Sequence, residues 1–176
     1  MFAGKSSRIL SIVSRYSALG TPVLVVKHSS DVRYGTDSVI VTHDANTTPC
    51  MSVRDLDDIP LETLLKYQVI IVDEAQFFPH LIPFVEHAVD THKRNLYLVG
   101  LDGDSNRRKF GELLDCIPLA DRVERITAFC QKCADGTPGL FSHRKVGITD
   151  KQILIGAHNS YMTLCRECYL HEGAYM

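Results

Sequence analysis

Three near-continuous apolar runs, "TPVLVVKH" (21–28), "YQVIIVDE" (67–74) and "NLYLVGLDG" (95–103), constrain this chain more than any other feature. A strand with one face in water alternates apolar and polar residues. A run without alternation belongs to a strand covered on both faces, which is the situation in parallel sheets. Between the second and third runs, "FPHLIPFVEHAVDTHK" (78–93) is amphipathic and long enough to carry the chain back across such a sheet. From Ser7 to Leu19, the residues Ile9, Leu10, Ile12 and Val13 recur at helical spacing, and Gly20 is a stop signal. This alternation predicts an α/β fold with a mostly parallel sheet. The segment 31–50 is polar with one short strand-like stretch, and reads as a surface excursion.

The ends of two of these elements carry chemistry. Gly4-Lys5-Ser6 stands directly before the first helix, where backbone N–H groups, a lysine and a hydroxyl can converge on phosphate oxygens. Taken alone such a tripeptide is as readily a chance occurrence. "VIIVDEAQFF" (69–78) strengthens the reading, because an apolar strand ending in Asp73-Glu74 presents carboxylates at the carboxyl edge of the sheet. Asp73 can order metal-bound water while Glu74, pointing the other way, accepts a proton from an attacking hydroxyl or water. The bland alternative is two solvated acids at a strand end. The two halves together predict a P-loop NTPase-like nucleotide site. The full pattern G-x-x-x-x-G-K-[ST] needs a glycine five residues before Gly4, and only three residues precede it. Met1 thus falls inside the motif, and the expectation is a late-assigned start or a fragment. Weak ATP binding that an upstream extension restores would follow.

Of six cysteines, Cys130-x-x-Cys133 and Cys165-x-x-Cys168 form two tight pairs, the donor set of a tetrahedral structural zinc site. A redox C-x-x-C is the alternative, and two pairs flanking one loop favour zinc. Zinc there would fix both ends of residues 134–164, a segment rich in glycine and turn residues with one strand-like stretch, "QILIG". Residues 1–127 read as the core and 128–176 as a small zinc-stapled subdomain. Cys50 and Cys116 read as ordinary buried thiols. His80, His87 and His92 read as helix-face residues, and His143 and His158, in the bracketed loop, as solvent-exposed ones, with contact to a ligand as the alternative.

A net charge of −2 supplies no basic patch for general nucleic-acid affinity, so small molecules are the expected partners. No apolar run approaches the roughly 20 residues of a membrane span, and no signal peptide is visible, so no membrane partner is expected and a cytoplasmic location is.

Taken in order along the chain, these residues resemble the zinc-containing (type II) thymidine kinases. "MFAGKSS" fits the last positions of the family's G-P-M-F-[AS]-G-K-[ST], and "DEAQFF" (73–78) is its strand-end signature. "GLDGDSNRRKFGELL" (100–114), "IPLADRVERITAFCQKC" (117–133) and "IGAHNSYMTLCRECY" (155–169) resemble its later segments. The resemblance implies a P-loop core plus a zinc-stapled lasso subdomain, and ATP-dependent phosphorylation of the thymidine 5′-hydroxyl. It implies that Met1, Phe2, Ala3, Gly4, Lys5 and Ser6, with Asp73 and Gln76, bind ATP, and that Ser6 and Asp73 serve Mg2+. Glu74 would be the general base. Phe77, Leu101, Phe110, Ser142 and Tyr161 would surround thymidine, and Arg33 would stand beside the active site. The cofactors implied are ATP, Mg2+ and structural Zn2+; a homotetramer and feedback inhibition by the triphosphate end product are implied as well.

Ser105 departs from the family, which carries an aromatic residue there, so packing beside the base is expected to be looser or supplied from elsewhere. Three alternatives stay open at this point: a kinase of altered nucleoside preference, an inactive zinc-bearing homologue that binds nucleotide or a protein partner, and a zinc-ribbon nucleic-acid binder.

Overall fold

The computed structural model describes residues 2–30, 39–41, 47–145 and 161–173. These form two compact units, one of Lys5–Asp102 with Phe110–Val123, the other of the described residues within 1–4, 103–109 and 124–176.

The first unit is a sheet covered on both faces. Its strands are β1 (Val23–His28), β2 (Val39–Val41), β3 (Thr47–Pro49), β4 (Met51–Val53), β5 (Val69–Asp73) and β6 (Asn95–Leu98). Four of them make a parallel sheet in the order β4-β1-β5-β6, and β2 and β3 pair separately as an antiparallel ribbon. Val69 to Val72 are all fully buried, as a run without alternation demands. Val25, Val69 and Ile71 pack with Ile9 and Ile12 of helix α1 (Lys5–Ser17) on one face. Leu24, Val26, Ile70 and Val72 face the opposite cluster, which contains Leu64 of α2 (Leu61–Lys66) and Leu81, Phe84 and Val85 of α3 (Leu81–Val85). The period of two along a strand and the helical period of the covering layers therefore meet in two separate cores.

Element boundaries differ from the sequence reading for local reasons. The helix expected over 78–93 starts at Leu81, where the Glu112 carboxylate accepts the Leu81 N–H at 2.8 Å, and its second half, Glu86–Thr91, winds as a π-helix. The third strand ends at Leu98, although Val99 stays bonded to the end of β5, its N–H donating to Val72 O and its carbonyl accepting the Ala75 N–H. The crossover between β4 and β5, a short 3-10 turn capped by Asp55 and then α2, is too short to have shown as a periodic pattern. Cys50 and Cys116 are buried thiols as expected, and burial, with Glu112 and Asp115 nearby, pushes Cys116 up to about 11.

The second unit consists of short antiparallel pairs: β7 (Ala128–Phe129) with β8 (Pro138–Gly139), and β9 (Phe141–Arg144) with β10 (Tyr161–Leu164), followed by α4 (Arg166–Gly173). Arg33, His158 and the "QILIG" stretch lie outside the described residues.

Candidate active site and metal centre

Strand β5 delivers two acids to its end by changing backbone conformation between them. Asp73 closes the strand, 7% exposed, and its Oδ1 accepts the Glu74 N–H at 2.9 Å. Glu74 then turns into the left-handed region at φ 51°, which sends its side chain away from the strand direction. It is 4% exposed, and its Oε1 stands 4.0 Å from Lys5 Nζ at the start of α1. The sequence reading placed a lysine at a helix start and a carboxylate at a strand end; the fold puts them face to face. Ser6 follows in the first turn of the same helix, half-buried. Phe2, Ala3 and Gly4 precede it, Gly4 with φ 80°, and Met1 lies outside the described residues. Lys27, also buried, is the register partner of Asp73 on β1.

Gln76 follows Glu74 in a 3-10 turn, 3% exposed, and its Nε2 donates to Glu74 Oε2 at 2.6 Å. Its Oε1 accepts the Leu101 N–H at 3.0 Å. The candidate nucleoside residues Phe77 and Phe110 meet edge to face at 5.4 Å, Phe110 buried and Phe77 half-buried. His28 adds a third ring, 5.9 Å from Phe77 and 4.9 Å from Phe78. Sequence reading did not single out His28 as a neighbour of this aromatic group. The signal was available, since it ends the strand that pairs with β5.

In the other unit the four paired cysteines come together, with all ligand sulfurs within 4.8 Å of one another. Cys133 Sγ is 3.8 Å from Cys165 Sγ and 3.6 Å from Cys168 Sγ. A tetrahedron with Zn–S bonds of about 2.3 Å has edges of about 3.8 Å, so the donors fit zinc in number, type and spacing. Their ionisation points the same way. Desolvation works against a Cys130 thiolate, yet backbone N–H groups of Cys133, Cys165 and Lys132 outweigh it and bring the group down to about 6. Hydrogen bonds to Cys133 and Cys165 push Cys168 up to about 12. Like-charge crowding permits few thiolates in so small a space, and a divalent cation is the partner that lets all four ionise.

Ser142 and Tyr161 lie on β9 and β10 of this unit, and the Arg144 guanidinium stands 5.7 Å over the Tyr161 ring. His143, expected in solvent, is 8% exposed against the Tyr169 ring at 5.6 Å, and burial lowers its pKa below the ordinary 6.5. At Ser105, where an aromatic residue was expected, the backbone carbonyl accepts the Tyr169 hydroxyl at 2.6 Å. The Arg107 guanidinium stacks 4.7 Å over the same Tyr169 ring and 5.6 Å over Phe141. A ring from later in the chain thus packs beside this loop, a contact that sequence spacing could not show.

The thymidine kinase family model matches residues 1–169 of this chain. The chain belongs to the thymidine kinase family. The thymidine kinase of Oryza sativa subsp. japonica is 43% identical over 175 residues, covering 97% of this chain and 63% of that protein. Thymidine kinase a of Arabidopsis thaliana is 41% identical over 174 residues, covering 97% of this chain and 71% of that protein. The thymidine kinase of Monkeypox virus is 36% identical over 170 residues, covering 97% of this chain and 92% of the viral protein. The chain thus spans a little under two thirds of its rice relative's length and nearly all of the viral one's. Among the described residues, no helix of this thymidine kinase family member is long and apolar enough to cross a membrane.

Proposed function

We propose that this chain transfers the γ-phosphoryl group of ATP to the 5′-hydroxyl of thymidine. The observation that carries the reading is the opposition of half-buried Lys5 and buried Glu74, 4.0 Å apart, one at a helix N-terminus and the other at the end of a central parallel strand. Phosphoryl transfer asks a protein mainly for positioning, neutralisation of phosphate charge and a carboxylate that orients the nucleophile. Lys5 and the backbone N–H groups opening α1 supply the positive end. Glu74, held out of water, supplies the acceptor for the hydroxyl proton. Ser6 and Asp73 would hold Mg2+, which when bound supplies further neutralisation of the phosphates.

Phe77, Leu101 and Phe110 are the proposed apolar walls for the nucleoside, with Ser142 and Tyr161 as contributors from the 128–176 segment. Phe2, Ala3 and Gly4, with Met1, belong to the proposed phosphate loop, and zinc on Cys130, Cys133, Cys165 and Cys168 to the structural centre. A homotetramer and a cytoplasmic location complete the proposal on family resemblance.

The test is thymidine phosphorylation by the zinc-loaded chain with ATP and Mg2+, beside Glu74→Gln. Loss of a general base lowers kcat by about 10²- to 10⁴-fold with little change in the KM for thymidine. Equal turnover in the two proteins would remove Glu74 from the chemistry.

A further inference from the structure

Gln76 sits where the sequence motif suggests a nucleotide contact, but both ends of its amide are engaged by the protein. Nε2 donates to Glu74 Oε2 at 2.6 Å, and Oε1 accepts the Leu101 N–H at 3.0 Å. The chemistry fixes which end is which: an ionised carboxylate only accepts and a backbone N–H only donates, so the flipped amide would face a repulsion at both ends.

Backbone at two glycines stands close to this residue. A Cβ on Gly100 would stand 2.5 Å from Gln76 Oε1 and 2.9 Å from Leu113 Cδ2. A Cβ on Gly111 would stand 2.2 Å from the Gln76 carbonyl oxygen, and Gly111 itself has φ 59°. Two glycines, both well beyond the turn along the chain, therefore let backbone close in on Gln76. The residue is 3% exposed.

We propose that Gln76 is a positioning residue for Glu74, fixing the rotation of its carboxylate, and that it makes no essential contact to ATP. With Oε2 held by Gln76, Oε1 is the oxygen on the Lys5 side, and it is the atom that takes the proton from the 5′-hydroxyl as that oxygen bonds to the γ-phosphorus of ATP and the bond from the γ-phosphorus to the bridging oxygen breaks, releasing ADP. The Leu101 backbone at the proposed nucleoside wall is thereby linked through one side chain to the base. This rests on the reading of Glu74 as base.

The experiment uses the full, zinc-loaded chain and compares Gln76→Glu, Gln76→Met and Glu74→Gln. A base displaced by about 1 Å loses up to about 10²-fold, so both Gln76 variants are expected to lower kcat by about 10- to 100-fold, with the KM for ATP within about threefold of the starting value. In Gln76→Glu, a second carboxylate against Glu74 moves the acid limb of the kcat profile to higher pH; Lys5, Asp73 and the buried Lys27 paired with Asp73 on β1 are unchanged. On a Glu74→Gln background, Gln76→Met costs little more.

A raised KM for ATP at unchanged kcat would overturn the proposal in favour of a nucleotide contact. A kcat loss that leaves the pH profile unmoved and adds fully to Glu74→Gln would overturn it in favour of a purely structural role. Full turnover in Glu74→Gln would overturn the base reading, and this inference with it. Should the Gln76 variants not fold, the side-chain amide resonances of Gln76 in the otherwise unaltered chain give the answer. They are expected to shift when Glu74 becomes Gln, and their staying in place would overturn the proposal.

Discussion

In the sheet unit Val69, Ile70, Ile71 and Val72 are fully buried and two apolar clusters cover the two faces of the strands. In the cysteine unit Leu164 is the one fully buried large aliphatic side chain among the described residues, and Phe129 is 70% exposed. What the second unit has instead is polar and local. Thr163 Oγ1 donates to the Phe129 carbonyl at 2.8 Å, Tyr169 is tied to Ser105, Lys132 pairs with Glu172, and four thiols meet at one point. One unit can take its stability from apolar area removed from water; the other buries little of it, and its four clustered thiols could hold a metal that supplies the rest.

The largest test of this contrast is removal of the metal. Structural zinc is worth about 10 to 16 kcal/mol to small sites of this kind. Chelation, or Cys168→Ser, is therefore expected to abolish hydrogen-exchange protection across 128–144 and 161–173 while residues 69–72 stay protected. Loss of protection in both units together would break the contrast. The reciprocal experiment is Ile71→Ala, which leaves a cavity between β5 and α1 and lowers unfolding stability by about 2 to 5 kcal/mol, with zinc stoichiometry unchanged.

A smaller effect is expected inside the cysteine unit. Thr163→Val keeps the shape but leaves the Phe129 carbonyl without its 2.8 Å partner, at a cost of about 1 to 3 kcal/mol, read as faster local exchange around β7 and β10. The smallest effects come from pH and have opposite signs in the two units. Cys116 is held up to about 11 against an ordinary 9.0, so above pH 9 the unfolded chain loses a proton the folded chain keeps. Stability of the sheet unit is expected to fall as pH rises from about 9 to 11, and Cys116→Ala to flatten that slope. His143 is lowered below 6.5 by burial, so protonation favours the unfolded chain. The cysteine unit loses stability as pH falls through 6.5, and His143→Gln removes that limb; denaturant melts at several pH values separate the two.

The apolar runs were legible because a strand covered on both faces has no choice of composition, as in β1 and β5; β6 falls within the third run but is an edge strand whose residues are exposed or only partly buried. Lys5, Glu74 and the cysteines were legible because spacing along the chain controls where they stand. His143 was misread because its burial comes from Tyr169 on α4, which nothing near position 143 announces. The same reason hid the setting of Gln76, whose partners at Gly100, Leu101 and Gly111 are brought to it only by folding.

The left-handed backbone at Glu74 has an evolutionary consequence. A non-glycine residue in that region costs roughly 1 to 2 kcal/mol, and Gly or Asn would occupy it with less strain. Selection for folding alone therefore sets that strain against the contacts the carboxylate makes with Gln76 and Lys5. Where the strain outweighs those contacts, a library of this chain sorted only for thermal resistance would be expected to drift away from Glu74, and the acid would persist only in lineages that are asked for turnover.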